Sequence, residues 1–134
     1  MDGIPVIISC VDTSALEELD GVRDGLIASS NAFLFLFKDL LELEQAEQLI
    51  EKVARRRDKN IEDIDCLLVA THWDTLGSQS PTLFDLPYLK RFSQKYNIPL
   101  IACSSLNNWN IIKIFGELVR ISRRSHIKAL STNK

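Results

Sequence analysis

Cys66-Leu67-Leu68-Val69-Ala70-Thr71-His72-Trp73-Asp74 is the stretch that decides the fold. Five apolar residues run without a polar break and give way at Thr71 to polar ones. A short unbroken run of this kind is the pattern of a strand buried on both faces, found in parallel sheets covered by helices. A half-solvated strand would alternate instead. Polar residues just past the carboxyl end of such a strand stand where open α/β sheets place their binding sites.

The same reading extends in both directions. Phe33-Leu34-Phe35-Leu36-Phe37 is a second continuous apolar run, too short for a helix. Val6-Ile7-Ile8-Ser9-Cys10-Val11 follows Pro5, is rich in β-branched residues and predicts a buried strand ending at Asp12. Pro99-Leu100-Ile101-Ala102-Cys103 predicts another. Helical patterns separate these runs. Leu19, Val22 and Leu26 mark a helix over about Leu16 to Ala28, in which Gly21 and Gly25 each cost about 1 kcal/mol relative to Ala. Ala46, Leu49, Ile50, Val53 and Ala54 form the stripe of a helix from about Leu43 to Arg57. Its acidic start (Glu42, Glu44, Glu47) and basic end (Arg55, Arg56, Arg57) suit the helix dipole. Asp85 to Tyr96 turns Leu89, Phe92 and Tyr96 inward. The last helix, about Asn108 to Arg124, carries Ile111, Ile112, Phe115, Leu118 and Val119, and the polar tail from Ser125 is expected to fray. Four βα repeats in one chain predict a single α/β domain: a mostly parallel sheet, helices on both faces, right-handed crossovers.

Composition agrees. The chain has 134 residues, 46% hydrophobic and 25% charged, with a net charge of −2. That mix excludes a disordered chain and a generally basic nucleic-acid binder. Residues 1–67 carry 7 basic and 15 acidic side chains, and residues 68–134 carry 9 and 3. The Arg55-Arg56-Arg57 and Arg123-Arg124 clusters read as solvated helix ends, so no nucleic-acid partner is expected. Cys10, Cys66 and Cys103 are too few and too scattered for a disulfide framework or a zinc site. All three sit in apolar runs and are expected to be buried free thiols in a cytoplasmic protein. Asp2 stands where myristoylation needs Gly, and Ser131-Thr132-Asn133-Lys134 is no prenylation box, so no lipid anchor is expected.

Three strand ends form a pattern. Asp12-Thr13-Ser14-Ala15-Leu16-Glu17-Glu18, Thr71-His72-Trp73-Asp74 and Cys103-Ser104-Ser105 follow their runs in this order. The chain from about residue 4 to 124 resembles the region of a Ras-superfamily small GTPase from the strand before its second switch to its last helix. There the segments read Asp-Thr-Ala-Gly-Gln-Glu-Glu, Asn-Lys-x-Asp and Thr-Ser-Ala-Lys. Val22-Arg23-Asp24, Phe33-Leu34 and Leu118-Val119-Arg120 add to the likeness. Thr-His-x-Asp is similar to the form found in the Roc domains of leucine-rich-repeat kinases. The resemblance implies a three-layer P-loop-NTPase, Ras-like fold lacking its first strand and first helix, and thus a single truncated or degenerate small-GTPase-like domain over residues 1–134.

The resemblance also assigns roles. Asp74 would accept two hydrogen bonds from guanine, which adenine cannot offer. His72 would cover the base, Thr71 replaces the usual Asn, and the Ser104-Ser105 backbone would face guanine O6. Leu106 stands where Lys is usual. The phosphate half has no counterpart. None of the five glycines is followed by Lys, so no Gly-x-x-x-x-Gly-Lys-Ser/Thr cradle for phosphates is present. The Ser/Thr that would hold Mg²⁺ is missing with it, and Asp12 is the remnant of the metal site. Leu16 occupies the place of the water-orienting Gln and has no polar atom to do that work, so no catalytic residue is assigned. The implied ligands are GTP or GDP with Mg²⁺, held weakly or not at all. The expected function is a non-catalytic module for protein regulators or effectors, touching them through Thr13, Glu17, Glu18, Asp20 and Arg23. The other reading is the carboxyl-terminal part of a GTP-hydrolysing GTPase. In the family a central strand lies between the equivalents of Val6–Val11 and Phe33–Phe37. Its absence leaves two outcomes: the flanking strands pair directly, or they stay apart with open edges; either way apolar surface is left uncovered, and self-association or the need for a partner is expected.

Overall fold

Three of the four expected strands form. The structure, a computed structural model, describes residues 3, 5–11, 20–71 and 86–132, the side chains of 20–23, 40, 86–90 and 132 excepted. The elements in chain order are α1 (Asp20–Ser29), β1 (Phe33–Phe37), α2 (Leu40–Arg57), a single 3₁₀ turn (Ile61–Asp63), β2 (Cys66–Ala70), α3 (Leu86–Tyr96), β3 (Leu100–Ala102) and α4 (Ile111–Thr132). The sheet is parallel, in the order β1-β2-β3. Phe33 pairs with Cys66, Phe37 with Ala70, and Ala70 with Ala102.

The layers follow from the side-chain period of two along each strand. On one face, Phe35 and Phe37 of β1 and Cys66, Leu68 and Ala70 of β2 pack against Ile27 of α1, Leu43, Ala46, Ile50, Val53 and Ala54 of α2, and Phe92 and Tyr96 of α3. On the other, Leu67 and Val69 of β2 meet α4 through Ile114, with Ile111, Leu118 and Ile121 packed around it. Central β2 is buried throughout, as its unbroken apolar run requires. The fold is a three-layer, parallel α/β arrangement.

Five expectations need correction. Val6–Val11 belongs to no strand: residues 5–11 carry no regular secondary structure and are exposed, Ile7 by 98%. A strand holds its conformation through ladder hydrogen bonds, and among the described residues no strand pairs with this segment. Cys10 is therefore exposed, while Cys66 and Cys103 are buried. Helix α2 starts at Leu40 rather than near Leu43, because Asp39 caps it. The Asp39 carboxylate accepts from the Glu42 N–H at 2.9 Å, and Glu42 accepts from the Lys38 N–H at 2.9 Å. The tail does not fray: α4 runs to Thr132, although residues 124–131 are exposed. No Gly or Pro follows Gly116 to stop it, and adding residues to a packed helix is easier than starting one. Its buried stripe is also rotated. Ile114 lies against the sheet, whereas Ile112 is exposed.

Helix α1 is fastened to α2 by two arginines. The Arg57 guanidinium donates to the carbonyls of Ile27 (3.2 Å), Ala28 (2.8 Å) and Ser30 (3.0 Å), which a helix end leaves without partners, and lies over the Phe33 ring. Arg56 pairs with Asp24 at 3.1 Å. Across the same layer, the Tyr96 hydroxyl donates to Glu47 at 2.6 Å and ties α3 to α2.

Candidate functional site

Parallel pairing brings two of the three expected motif segments to one end of the sheet. Ala70 and Ala102 are partners in register, and the Cys103 N–H donates to the Ala70 carbonyl at 2.8 Å. Thr71 and Cys103 therefore leave the sheet at the same end, the carboxyl ends of β2 and β3, with Ser104 one residue further along. Open α/β sheets place their ligands at such ends.

Thr71 anchors its strand end. Its N–H and its hydroxyl both donate to the Phe37 carbonyl, at 2.8 and 3.2 Å. That bond carries the β1–β2 ladder one step past the sheet.

Ser104 sits at the root of a folded loop and is only 1% exposed. Its N–H donates to the Trp109 carbonyl at 3.1 Å, and the Trp109 N–H donates back at 2.9 Å, closing an antiparallel bridge. Its hydroxyl accepts from the Asn107 N–H at 3.2 Å. The Asn108 N–H donates to the Ser105 carbonyl at 3.3 Å. Asn108 (φ 51°) and Asn110 (φ 62°) take the left-handed conformation, which Asn tolerates better than most side chains. Asn110 then crosses back: its side-chain amide donates to the Ala102 carbonyl at 3.0 Å, and its own carbonyl accepts from the Ile114 N–H at 3.1 Å as α4 begins. The loop is thus held to β3 at one end and to the first turn of α4 at the other. Trp109 takes the Ser104 N–H, whereas Ser105, whose carbonyl accepts from Asn108, is exposed. Behind them, burial pushes the Cys103 thiol up, so it backs the loop as a neutral group.

The structure places Thr71 and Ser104-Ser105 after the same ends of neighbouring strands β2 and β3. His72 and Asp74 lie outside the described residues, as do Asp12, Thr13, Leu16, Glu17 and Glu18. Asp20 and Arg23 fall in α1, where the backbone alone is described. Trp109, Asn107 and Asn110, which shape the serine loop, had gone unnoticed in the sequence. The signal is there in Asn107-Asn108-Trp109-Asn110, a run rich in the residue that favours turns and left-handed backbone. Arg57, read as a solvated helix end, is the clamp on α1.

Asp12, the residue that the resemblance implies for Mg²⁺, lies outside the described residues. The chain has no Gly-Lys-Ser/Thr to supply a hydroxyl ligand. Among the described residues no three His, Cys, Asp or Glu side chains gather as a metal would require. No described helix is long and apolar enough to cross a membrane.

No family model matches the chain. Individual proteins do. Ras-like protein 2 of Drosophila melanogaster is 26% identical over 129 residues, which are 95% of this chain and 65% of that protein. Ras-related protein Ral-a of the same fly is 27% identical over 122 residues, 90% of this chain and 58% of that protein. Ras-related protein R-Ras of Mus musculus is 26% identical over 126 residues, 92% of this chain and 56% of that protein. The chain spans about three fifths of the length of these curated relatives.

Proposed function

We propose that this chain, a Ras-superfamily region by its likeness to small GTPases, serves as a protein-binding module that keeps a remnant guanine-base site and does not turn over GTP. The observation that carries the reading is a contrast between two halves of a nucleotide site. The base half has support in the sheet: β2 and β3 pair in parallel, so the chain stretches that follow Ala70 and Ala102, with Thr71 on one and Ser104-Ser105 on the other, leave the sheet at the same end. The phosphate half has no glycine cradle within the 134 residues. In this family most nucleotide affinity comes from phosphate contacts through backbone N–H groups and Lys, so a base site alone holds nucleotide weakly. Leu16 in the place of the water-orienting Gln fits lost hydrolysis.

The protein contacts are assigned to the segment from Thr13 to Arg23. Its acidic residues Glu17, Glu18 and Asp20 suit a basic partner. A second reading rests on length. The relatives extend well beyond the region matched here, so the chain also suits the carboxyl-terminal part of a GTP-hydrolysing GTPase whose phosphate loop lies outside these residues.

Titration with a fluorescent GTP or GDP analogue in Mg²⁺ tests the first reading. Affinity weaker than micromolar is expected, with Asp74→Asn removing whatever preference for guanine remains. Micromolar or tighter binding overturns it. In parallel, charge reversal at Glu17, Glu18 and Asp20 is expected to abolish partner capture, and capture that survives overturns the assigned surface.

A further inference from the structure

The chain carries an open sheet edge and, separately, a strand-like segment that no sheet uses. In a parallel ladder, alternate residues direct their N–H and C=O groups to opposite neighbours. The Phe33 N–H donates to the Asp65 carbonyl and the Phe37 carbonyl accepts from the Thr71 N–H, so Phe33, Phe35 and Phe37 face β2. Leu34 and Leu36 therefore direct theirs to the outer side of β1, where the sheet has no further strand among the described residues. The next N–H, that of Lys38, is taken by Glu42. Leu36 is 56% exposed on the face where, among the described residues, α4 is the covering helix. The unused segment is Pro5–Val11, whose large apolar side chains Val6, Ile7, Ile8 and Val11 are exposed.

We infer that two copies of the chain associate by reciprocal strand exchange, Val6–Val11 of each copy lying along the outer edge of the other's β1. Three features select a second copy as the occupant. Neither the segment nor β1 holds a charged side chain, so nothing repels the pairing. In the single chain the segment stands off its own sheet, leaving strand and edge both available. Both faces of the added strand are apolar, Val6 and Ile8 on one and Ile7 and Val11 on the other, so one of them covers Leu36 whatever the register. Each copy gives one strand and accepts one, so the assembly closes as a two-fold dimer instead of growing into a fibre.

Sedimentation equilibrium of the 134-residue chain, with hydrogen exchange read at the Leu34 and Leu36 amides, tests this. The expected result is a concentration-dependent dimer in which those two amides become protected only on association. Leu36→Pro removes an N–H that β2 does not use, and Pro is tolerated on edge strands. Ile8→Pro breaks the donated strand in an exposed segment outside both cores. Each variant is expected to weaken association at least about tenfold, equivalent to about 1.4 kcal/mol. Mixed, the two variants are expected to form a heterodimer more readily than either forms a homodimer, because one intact strand meets one intact edge. If Leu36→Pro does not fold, Ile8→Pro alone carries the test. A chain still monomeric at high micromolar concentration, Leu34 and Leu36 protected already in the monomer, or a dimer that Ile8→Pro leaves unchanged would each overturn the proposal.

Discussion

Cys66–Ala70 and Val6–Val11 are two short apolar runs of nearly the same character, and they end in opposite states. The first is the central strand, with no residue more than 3% exposed. The second lies outside the sheet with Ile7 98% exposed. Hydrophobicity and β-propensity do not separate them. Neighbours do. Cys66–Ala70 has β1 and β3 on its sides and helices on both faces, so ordering its backbone yields ladder hydrogen bonds and burial together. Ordering Val6–Val11 alone costs about 1–2 kcal/mol per residue with no ladder to offset it. An apolar run permits a strand, and flanking strands decide whether it forms.

The comparison can be broken most directly by truncation in each run. Leu67→Ala empties a fully buried site and is expected to destabilise the fold by about 2–5 kcal/mol. Ile7→Ala, at an exposed site, is expected to change stability by no more than about 0.5 kcal/mol. Denaturant melts at a concentration where the chain is monomeric measure both. Equal losses would mean that Val6–Val11 is buried after all.

A smaller effect is expected at the clamp between α1 and α2. Arg57→Ala leaves the carbonyls of Ile27, Ala28 and Ser30 without their donor and should cost about 1–3 kcal/mol. Hydrogen exchange should rise first in α1, while β2 keeps its protection.

The thiols sharpen the comparison most finely. Burial, with a contribution from the Asp65 charge, pushes Cys66 from 9.0 up to about 12. Below pH 9 the thiol is protonated in both states and favours neither. Between pH 9 and pH 12 the unfolded chain loses this proton and the native chain keeps it, so stability falls as pH rises through that window. Cys66→Ala should flatten this alkaline slope in denaturant melts. Cys10, exposed in the N-terminal run, should react with a thiol reagent in the native state, whereas Cys66 and Cys103 should wait for unfolding.

Much of the sheet was legible because buried strands announce themselves. Phe33–Phe37 and Cys66–Ala70 form over the quoted residues, and the α2 stripe of Ala46, Ile50, Val53 and Ala54 is the buried one. The misreadings share a cause. Ile112 completes an apolar stripe on paper, but the sheet touches the side of α4 that carries Ile114. Periodicity fixes a helix face only to within the spread of its apolar residues, and docking selects among them. At the candidate site, Thr71 and Ser104-Ser105 were legible as polar residues after apolar runs. Their adjacency was not, since 33 positions separate Thr71 from Ser104 and only the β2–β3 pairing joins them. The roles of Trp109 and Asn110 depend on a loop bridge that no local pattern encodes.

By itself the sequence determined the α/β class, the likeness to Ras-superfamily proteins, the lack of a phosphate cradle within the chain and the residues able to form strands. These are properties of composition, spacing and side-chain chemistry, which exist before folding. Tertiary structure alone decided that Val6–Val11 stays out of the sheet, that α4 continues to Thr132, that Arg57 clamps α1, and that Ser104 gives its N–H to Trp109. Each depends on which groups meet across the fold, because a backbone donor, a strand edge or a helix end is satisfied only by a partner that the rest of the chain brings to it.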